Sequence, residues 1–403
     1  MLLILSPQTS PRLEYVCNVI FKRVLGLEYS IINDEERYKA HTDFKLRYLP
    51  KSNILFENDI RKQDEELLLQ DKPALAFYLL TNYEEYLPEC PKDQHGRIIH
   101  EQSFVVRHQL HKQATVQRIA LHYKNILSTQ QPGFKWKENT YRFLPTFDID
   151  IAYAYKGKTF LHFCGALGKA VLTLQWGIAK QIIKARHQQV FQDPYDVYDI
   201  EKQLCKQHQL QAIYFFLTSD RTQYDRNISP HSPYFSDLVQ KLKTNATIGI
   251  HPSYHSKNEN DIIIVKNILE EKGQVKIQSS RQHFLKVKFP DTFRNLIAAG
   301  ITDDYSLGFY DRIGFRNGMA IPFPFFDVEN NTTTKLMLHP LLLMDSAAVQ
   351  ELGMEEKYQK EITQLIQEVK TVGGEMIALW HSNFMPLGSK QLELFTETFN
   401  RMC

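Results

Sequence analysis

Features that would place a protein in a specialised class are scarce in this sequence of 403 residues. The five cysteines are scattered and include no Cys-x-x-Cys pair, so a reducing compartment is favoured over a disulfide framework. The net charge of +2 gives no signal for polyanion binding, and no nucleic-acid partner is expected. The N-terminal run Met1–Leu5 lacks basic residues and indicates a β-strand rather than a signal peptide, which predicts a cytoplasmic protein.

Long hydrophobic runs are also missing. The best candidate, Ala170–Ala179, is about half of the ~20 apolar residues that cross a bilayer, so no transmembrane segment is predicted. This run lies in a predicted helical segment, residues 160–186, with Trp176 near its centre. The segment has two interpretations, a helix that lies on a membrane surface or a helix that binds a partner protein or packs in the core, and its apolar character favours the second.

The chain is too long for one ordinary domain. A polar stretch at residues 128–133 (STQQPG) predicts a linker. We therefore predict an N-terminal α/β domain over residues 1–130 and a second unit over residues 137–403. In the second unit, strand-like runs alternate with helical patterns, which is typical of an α/β chain with a parallel, barrel-like sheet. The pattern predicts no particular oligomeric state.

Polar motifs in the second unit stand at the ends of strand-like runs. They are Thr146–Asp150 after Tyr141–Pro145, His251–His255 after Ala246–Ile250, and His381 after Glu375–Leu379. The carboxyl ends of parallel strands meet at one edge of a sheet or barrel, which is where such folds carry their active sites. We therefore expect the three motifs to lie close together.

The first two motifs offer ligands for a divalent metal. Asp148 and Asp150 project to the same side of a strand, so one can hold a metal while the other acts as a base. Pro252 suits the first position of a helical turn, in which His251 and His255 would lie four apart on one face. Two imidazoles and a carboxylate are sufficient for a catalytic metal that keeps an open coordination position.

A second group of polar residues crowds one N-terminal stretch. Its members are Asp93, His95, His100, His108 and His111. Their irregular spacing and loop-like surroundings favour solvated loop residues over a metal site. We predict no second metal site there.

In this order, the sequences TFDID, GIHPSYHS, SSRQHF, GITDD and ALWHS resemble the motifs of the polysaccharide deacetylase family, carbohydrate esterase family 4. The resemblance covers residues 142–401. It implies a distorted (β/α) barrel and metal-dependent removal of acetyl groups, N-acetyl above all, from a sugar or polysaccharide. The implied partner is an acetylated glycan or glycan precursor. Residues 1–130 resemble an extra domain on deacetylase-like proteins of certain Gram-negative bacteria, and no activity is implied for it.

The resemblance also assigns the metal site. Asp148 matches the catalytic base, although Ile149 separates two aspartates that are usually adjacent in the family. Asp150, His251 and His255 match the metal ligands. The implied metal is Zn²⁺ or another divalent ion such as Co²⁺, Ni²⁺ or Mn²⁺.

Three further motifs supply supporting groups. Arg281 matches the arginine that holds the base, although the proline-containing stretch usual after it is absent. Asp303 or Asp304 falls where an acid supports that arginine, but the usual tryptophan is missing. His381 matches the catalytic acid that protonates the leaving amine.

A rival expectation is a catalytically inactive deacetylase-like protein that binds or scaffolds in surface-glycan biosynthesis. A complete set of base, ligands and acid argues against it. Metal content and acetate release from acetylated glycans would distinguish the two.

Overall fold

The computed structural model describes residues 1–157, 160–174, 176–177, 180, 183–184 and 192–403. Within these residues the strands form a three-stranded sheet, in the order β2-β1-β3, and a nine-stranded sheet, in the order β11-β12-β4-β5-β6-β7-β8-β10-β9. The strands are β1 Leu2–Leu5, β2 Tyr29–Ile32, β3 Lys45–Arg47, β4 Arg142–Ile149, β5 Ala212–Leu217, β6 Ala246–His251, β7 Ser279–Ser280, β8 Asp303–Asp304, β9 Phe323–Asp327, β10 Thr332–Leu338, β11 Leu343–Met344 and β12 Glu375–His381.

Helices alternate with these strands. The α-helices of the described residues are Pro11–Cys17, Glu35–Ala40, Glu65–Gln70, Lys72–Leu80, Phe104–Arg107, Thr115–Gln130, Phe160–Leu172, Tyr198–Gln207, Pro233–Lys243, Glu259–Gly273, Asp291–Ala298, Asp345–Leu352, Glu356–Val372 and Lys390–Met402. A π-helical turn covers Asn18–Val24, and short 3₁₀ turns cover Tyr83–Tyr86, His100–Gln102, Leu110–Lys112 and His283–Leu285.

The large sheet is parallel from β11 through to β10, and only β9 runs antiparallel to its neighbour β10. Its inner strand β5 is apolar and buried along its whole length, as expected for a strand covered on both faces. Strand pairing ends at β11 and β9 in the described residues and does not close the barrel. The predicted fold class is confirmed: an α/β chain with a distorted (β/α) barrel and a smaller N-terminal α/β region.

Strand register brings the polar motifs to one edge of this sheet. His381 at the end of β12 pairs with Asp148 on β4, and Leu217 at the end of β5 pairs with His251 on β6. Trp380 is the buried residue immediately before His381. Its ring packs against Phe395 on the C-terminal helix, with 5.1 Å between the ring centroids. The packed core thus fixes the strands whose ends carry the polar side chains.

Two local predictions fail near the third motif. The pattern predicts strands over Val275–Ser279 and Phe284–Phe289, but β7 contains only two residues and 284–289 form no strand. Phe284 and Leu285 have φ values of 61° and 50°, which are incompatible with an extended strand. The chain turns sharply after His283 instead.

The segment predicted to be helical over residues 160–186 is described in part, and most of residues 175–191 lie outside the described residues. Its helix covers Phe160–Leu172. Leu172, Leu174 and Trp176 are 85%, 72% and 58% exposed, so these positions do not pack in the core of this chain, and binding of a partner by the segment stays a prediction. No described helix combines the length and the apolar character needed to cross a membrane.

Candidate active site

Asp150 is the centre of a cluster of three imidazoles. The Nε2 atoms of His251 and His283 lie 3.2 Å and 3.6 Å from its Oδ1, and His381 Nε2 lies 3.8 Å from its Oδ2. Asp150 Oδ1 is buried and has no hydrogen-bond partner. A buried carboxylate oxygen that lacks a partner is costly unless a cation or proton satisfies it.

Two of these imidazoles are oriented as metal ligands. His251 Nδ1 lies 2.6 Å from the carbonyl oxygen of Arg281, and His283 Nδ1 lies 3.0 Å from Asp225 Oδ1. Because both partners are acceptors, each Nδ1 donates its proton, and each Nε2 is the ring nitrogen that faces Asp150. Metal-binding histidines are usually held in this way through their other ring nitrogen.

Electrostatics also bind this cluster together. Burial alone would raise the pKa of Asp150, but His283 and His251 hold that pKa well below its usual value. Burial would lower the pKa of His283, but Asp150 and Asp225 raise it to about 9. The cluster therefore stabilises positive charge close to Asp150.

The candidate metal ligands differ from the predicted set. Ligand atoms of Asp150, His251 and His283 all lie within 4.8 Å of one another. His255 is exposed and packs its ring against Tyr254, with 5.2 Å between centroids. The physical reason is that the predicted helical turn does not form after His251, because the next helix begins only at Glu259. The structure brings His283, and not His255, into this cluster.

Arg281 holds the predicted base. Its Nη1 donates to Asp148 Oδ1 at 2.9 Å, and its Nε donates to the Tyr305 carbonyl at 3.0 Å. Both side chains are almost completely buried. Asp148 Oδ2 lies 3.6 Å from His251 Nε2, on the side of the imidazole cluster. One oxygen of Asp148 therefore accepts a hydrogen bond from Arg281, while the other faces the imidazole cluster.

Gly249 on β6 makes room for the aromatic ring that supports Arg281. The Arg281 guanidinium lies 4.5 Å from the ring centroid of Phe215. A Cβ atom at Gly249 would lie 2.6 Å from that same ring, far inside van der Waals contact. Glycine at this strand position therefore makes room for the ring on which the guanidinium rests.

The acid expected to support Arg281 is not its hydrogen-bond partner. Asp303 accepts from His339 Nε2 at 2.8 Å, and Asp304 accepts from the backbone N–H of Ser306 at 2.9 Å. Burial raises the pKa of Asp304 to about 6. Among the described residues, the support for Arg281 Nε comes from a backbone carbonyl instead of either carboxylate.

His381 has a carboxylate partner of its own. Asp345 Oδ1 accepts from His381 Nδ1 at 2.8 Å, and Asp345 Oδ2 accepts from the His381 backbone N–H at 2.7 Å. Burial would lower the pKa of His381, but Asp345, with Asp150 and Asp148, raises it to about 10. His381 is thus held as a protonated imidazole with Nε2 directed at the cluster.

A cavity of about 450 Å³ opens above these residues. Asp148, Asp150 and His381 form part of its floor, and Tyr310 and Arg97 contribute to its wall. Arg97 belongs to the N-terminal stretch that the sequence predicts to be a solvated loop. The structure places this loop at the edge of the cavity.

Sequence reasoning missed four residues of this site. Asp345 follows β11 directly, so the strand-end signal that identifies Asp148 could have found it. Asp225 lies in the loop after β5, His283 follows a two-residue strand, and Arg97 comes from another region of the chain. No local pattern marks these three.

Asp225→Asn should weaken metal binding by ~10–100-fold, the usual effect of losing a carboxylate behind a histidine ligand. The asparagine keeps the shape but cannot favour the Nδ1–H form of His283 as strongly. Competition with a chromophoric chelator would measure the affinity. Asp303→Asn is the matched control, because it removes a carboxylate from a histidine outside the cavity. Equal affinity in Asp225→Asn and wild type would contradict this role.

A family profile matches the N-terminal part of the chain. Residues 2–74 and 55–132 match the profile of a family described as a family of unknown function, DUF7033. No curated protein matches the sequence.

About two thirds of the chain resembles solved structures. A Mycobacterium smegmatis protein assigned as a polysaccharide deacetylase has 11% identity and a TM-score of 0.42, over 67% of this chain and 86% of that one. The polysaccharide deacetylase Bc1974 from Bacillus cereus has 11% identity and a TM-score of 0.29, over 65% and 88%. A mutant of BA3943, a CE4-family pseudoenzyme with restored activity, has 9% identity and a TM-score of 0.30, over 66% and 63%. These similarities assign neither a family nor a reaction to this chain.

Proposed function

We propose that this protein is a metal-dependent hydrolase that removes acetyl groups, most of all N-acetyl groups, from a sugar or polysaccharide. One observation carries the proposal. The Nε2 atoms of His251 and His283 lie beside the buried Asp150 Oδ1, which has no hydrogen-bond partner, and His381 Nε2 lies beside Asp150 Oδ2. A carboxylate held by arginine lies next to them, and all of these groups line one open cavity. Such a set of acid, base and metal ligands is suited to metal-assisted hydrolysis.

Asp150, His251 and His283 would hold a divalent cation. Nitrogen and oxygen donors in this number are typical of catalytic zinc, with other first-row divalent ions as alternatives. When bound, the ion supplies Lewis acidity towards an acyl oxygen and makes water a better nucleophile near neutral pH. His255 has no part in this ligand set.

Asp148 would act as the general base. Its Oδ1 is engaged by Arg281, and its Oδ2 faces the cavity beside the ligand histidines. The bond to Arg281 fixes the direction of the free oxygen, which accepts the proton of the attacking water. Proton transfer by a positioned carboxylate requires this kind of fixed geometry.

His381 would act as the general acid. Its Nδ1 is bound to Asp345, so the proton it can release is on Nε2, the atom directed at the reaction space. An amine is a poor leaving group unless it is protonated as the C–N bond breaks. The raised pKa of His381, about 10, keeps that proton available at neutral pH.

Metal affinity should depend on pH. In the metal-free protein the pKa of His283 is raised to about 9, so below that pH its Nε2 carries a proton that a metal must displace. Affinity should therefore fall by about tenfold for each pH unit below 9 and level off above it. Chelator competition between pH 6 and pH 10 measures the slope, and a flat profile would contradict the assignment of His283 as a ligand.

The proposal is tested by acetate release. Protein purified without chelators or a histidine tag is incubated with a panel of N-acetylated and O-acetylated glycans, and metal content is measured on the same sample. Asp148→Asn is the control, because it keeps every proposed ligand and removes the base. Stoichiometric metal without hydrolysis of any substrate in the panel would favour the scaffolding function instead.

A further inference from the structure

A hairpin from the N-terminal region reaches the proposed active site. It is closed by a bridge between Lys92 and Ile98 and by Asp93, whose Oδ1 accepts the backbone N–H groups of His95 and Arg97 at 2.8 Å and 2.9 Å. His95 Nδ1 in turn lies 3.0 Å from the Tyr254 hydroxyl of the barrel. The hairpin is therefore fixed internally and attached to the barrel.

Arg97 connects this hairpin to the chain beside the metal cluster. Its Nε and Nη2 donate to Asp93 Oδ2 at 2.9 Å and 2.8 Å, and its Nη1 donates to the Phe284 carbonyl at 2.9 Å. The guanidinium lies 3.6 Å from the ring centroid of Tyr310, and its side chain is only 13% exposed. Charge-assisted bonds of a guanidinium in this fixed arrangement are strong and directional.

The carbonyl that Arg97 binds belongs to an unusual turn. Phe284 and Leu285 both have left-handed backbone conformations, with φ of 61° and 50°. Residues other than glycine seldom adopt this conformation, and it persists only where the surroundings impose it. This turn follows His283 directly and sets the direction of the chain there.

We infer that the Asp93–Arg97 pair is a positioning device for the metal site, which fixes the left-handed turn after His283 and so keeps that imidazole directed at Asp150. Through this pair the N-terminal region, residues 1–130, takes part in metal binding. The inference rests on the proposed function, in which His283 is a metal ligand.

The first test is the variant Arg97→Met in the full-length chain. Affinity for Zn²⁺ should fall by ~10–100-fold, as for other residues that orient a ligand, and the visible spectrum of the Co²⁺-loaded protein should change. The matched control is Arg107→Met, because Arg107 also forms a paired contact with a carboxylate, Glu65, but is 44% exposed and does not line the cavity. Affinity and spectrum unchanged in Arg97→Met would overturn the inference.

A double-mutant cycle separates positioning from general damage to the fold. If Arg97 acts through His283, Arg97→Met should not weaken the remaining metal affinity of a His283→Ala variant any further. Equal losses in both backgrounds would show that Arg97 acts elsewhere and would overturn the inference. Asp93→Asn replaces Arg97→Met if the latter does not fold, since it releases the same guanidinium.

A measurement on metal-free protein keeps this inference distinct from the proposed function. The amides of Leu285 and Lys286 donate to the carbonyls of Gln282 and His283 at 2.9 Å and 3.2 Å. Arg97→Met should speed their hydrogen exchange at least ~10-fold by loosening the turn, while Arg107→Met should not. If the wild-type protein binds no metal, the proposed function fails, and faster exchange in Arg97→Met would still show that the Asp93–Arg97 pair fixes the turn after His283. Unchanged exchange would refute the device itself.

Discussion

Replacing His381 with alanine is expected to slow hydrolysis of an N-acetylated sugar by ~10²–10⁴-fold, because the amine must then leave without a proton. Activity on an aryl acetate should fall far less, because its phenolate leaves without protonation. The two values of kcat/KM, each relative to wild type, measure the difference. His381 can supply this proton because its Nδ1 is bound to Asp345, which raises the pKa of His381 to about 10.

Metal content decides how this first result is understood. His381 Nε2 lies 3.8 Å from Asp150 Oδ2. At this distance the experiment must distinguish a role of His381 as a fourth metal ligand from its role as the general acid. If His381→Ala keeps stoichiometric metal and loses only amide hydrolysis, the acid role stands. Loss of the metal, or equal losses on both substrates, would remove His381 from that role. His339→Ala is a suitable control, because it deletes a histidine with a carboxylate partner that does not line the cavity.

His283→Ala is expected to weaken metal affinity so far that no stoichiometric metal remains after dialysis, although weak binding stays measurable by titration, whereas His255→Ala should leave the affinity unchanged. His283 offers Nε2 to the cluster and is almost completely buried, while His255 is exposed and stands apart from it. Loss of a direct ligand should exceed the ~10–100-fold effect that is usual for supporting residues. Metal per chain after dialysis against metal-free buffer measures the outcome.

The matched pair of variants separates two ligand sets. His283 and His255 are both imidazoles that follow strands of the same sheet, so their substitution removes the same chemical group. If His255→Ala loses the metal and His283→Ala keeps it, the set implied by the family resemblance is restored. Circular dichroism of both variants without metal would exclude a difference that arises from misfolding.

The sequence is informative where strands are long and apolar. β4, β6 and β12 are such strands, so the polar residues that follow them can be expected at one edge, and the structure brings Asp148, His251 and His381 together there. The fold class is predictable for the same reason, because alternating strand and helix patterns are local. The catalytic and metal-binding roles of these residues stay predictions.

Prediction is weaker where the backbone departs from regular structure. The choice between His255 and His283 depends on a helical turn that does not form and on a left-handed turn at Phe284, and neither has a clear sequence signal. The part played by Arg97 is a contact between residues 187 positions apart in sequence, which no local pattern can reveal. Irregular turns and distant contacts are therefore the features for which coordinates are needed.

The distribution of the candidate ligands along the chain has a consequence for the order of folding. About a hundred residues separate Asp150 from His251. The loop-closure entropy lost in bringing them together is offset only when β5 pairs with β4 and β6. Local contacts within one segment cannot assemble the site, so the unfolded chain should hold the ion weakly. Metal added during refolding should leave the rate of the early folding steps unchanged. Metal bound to the completed barrel should slow its unfolding.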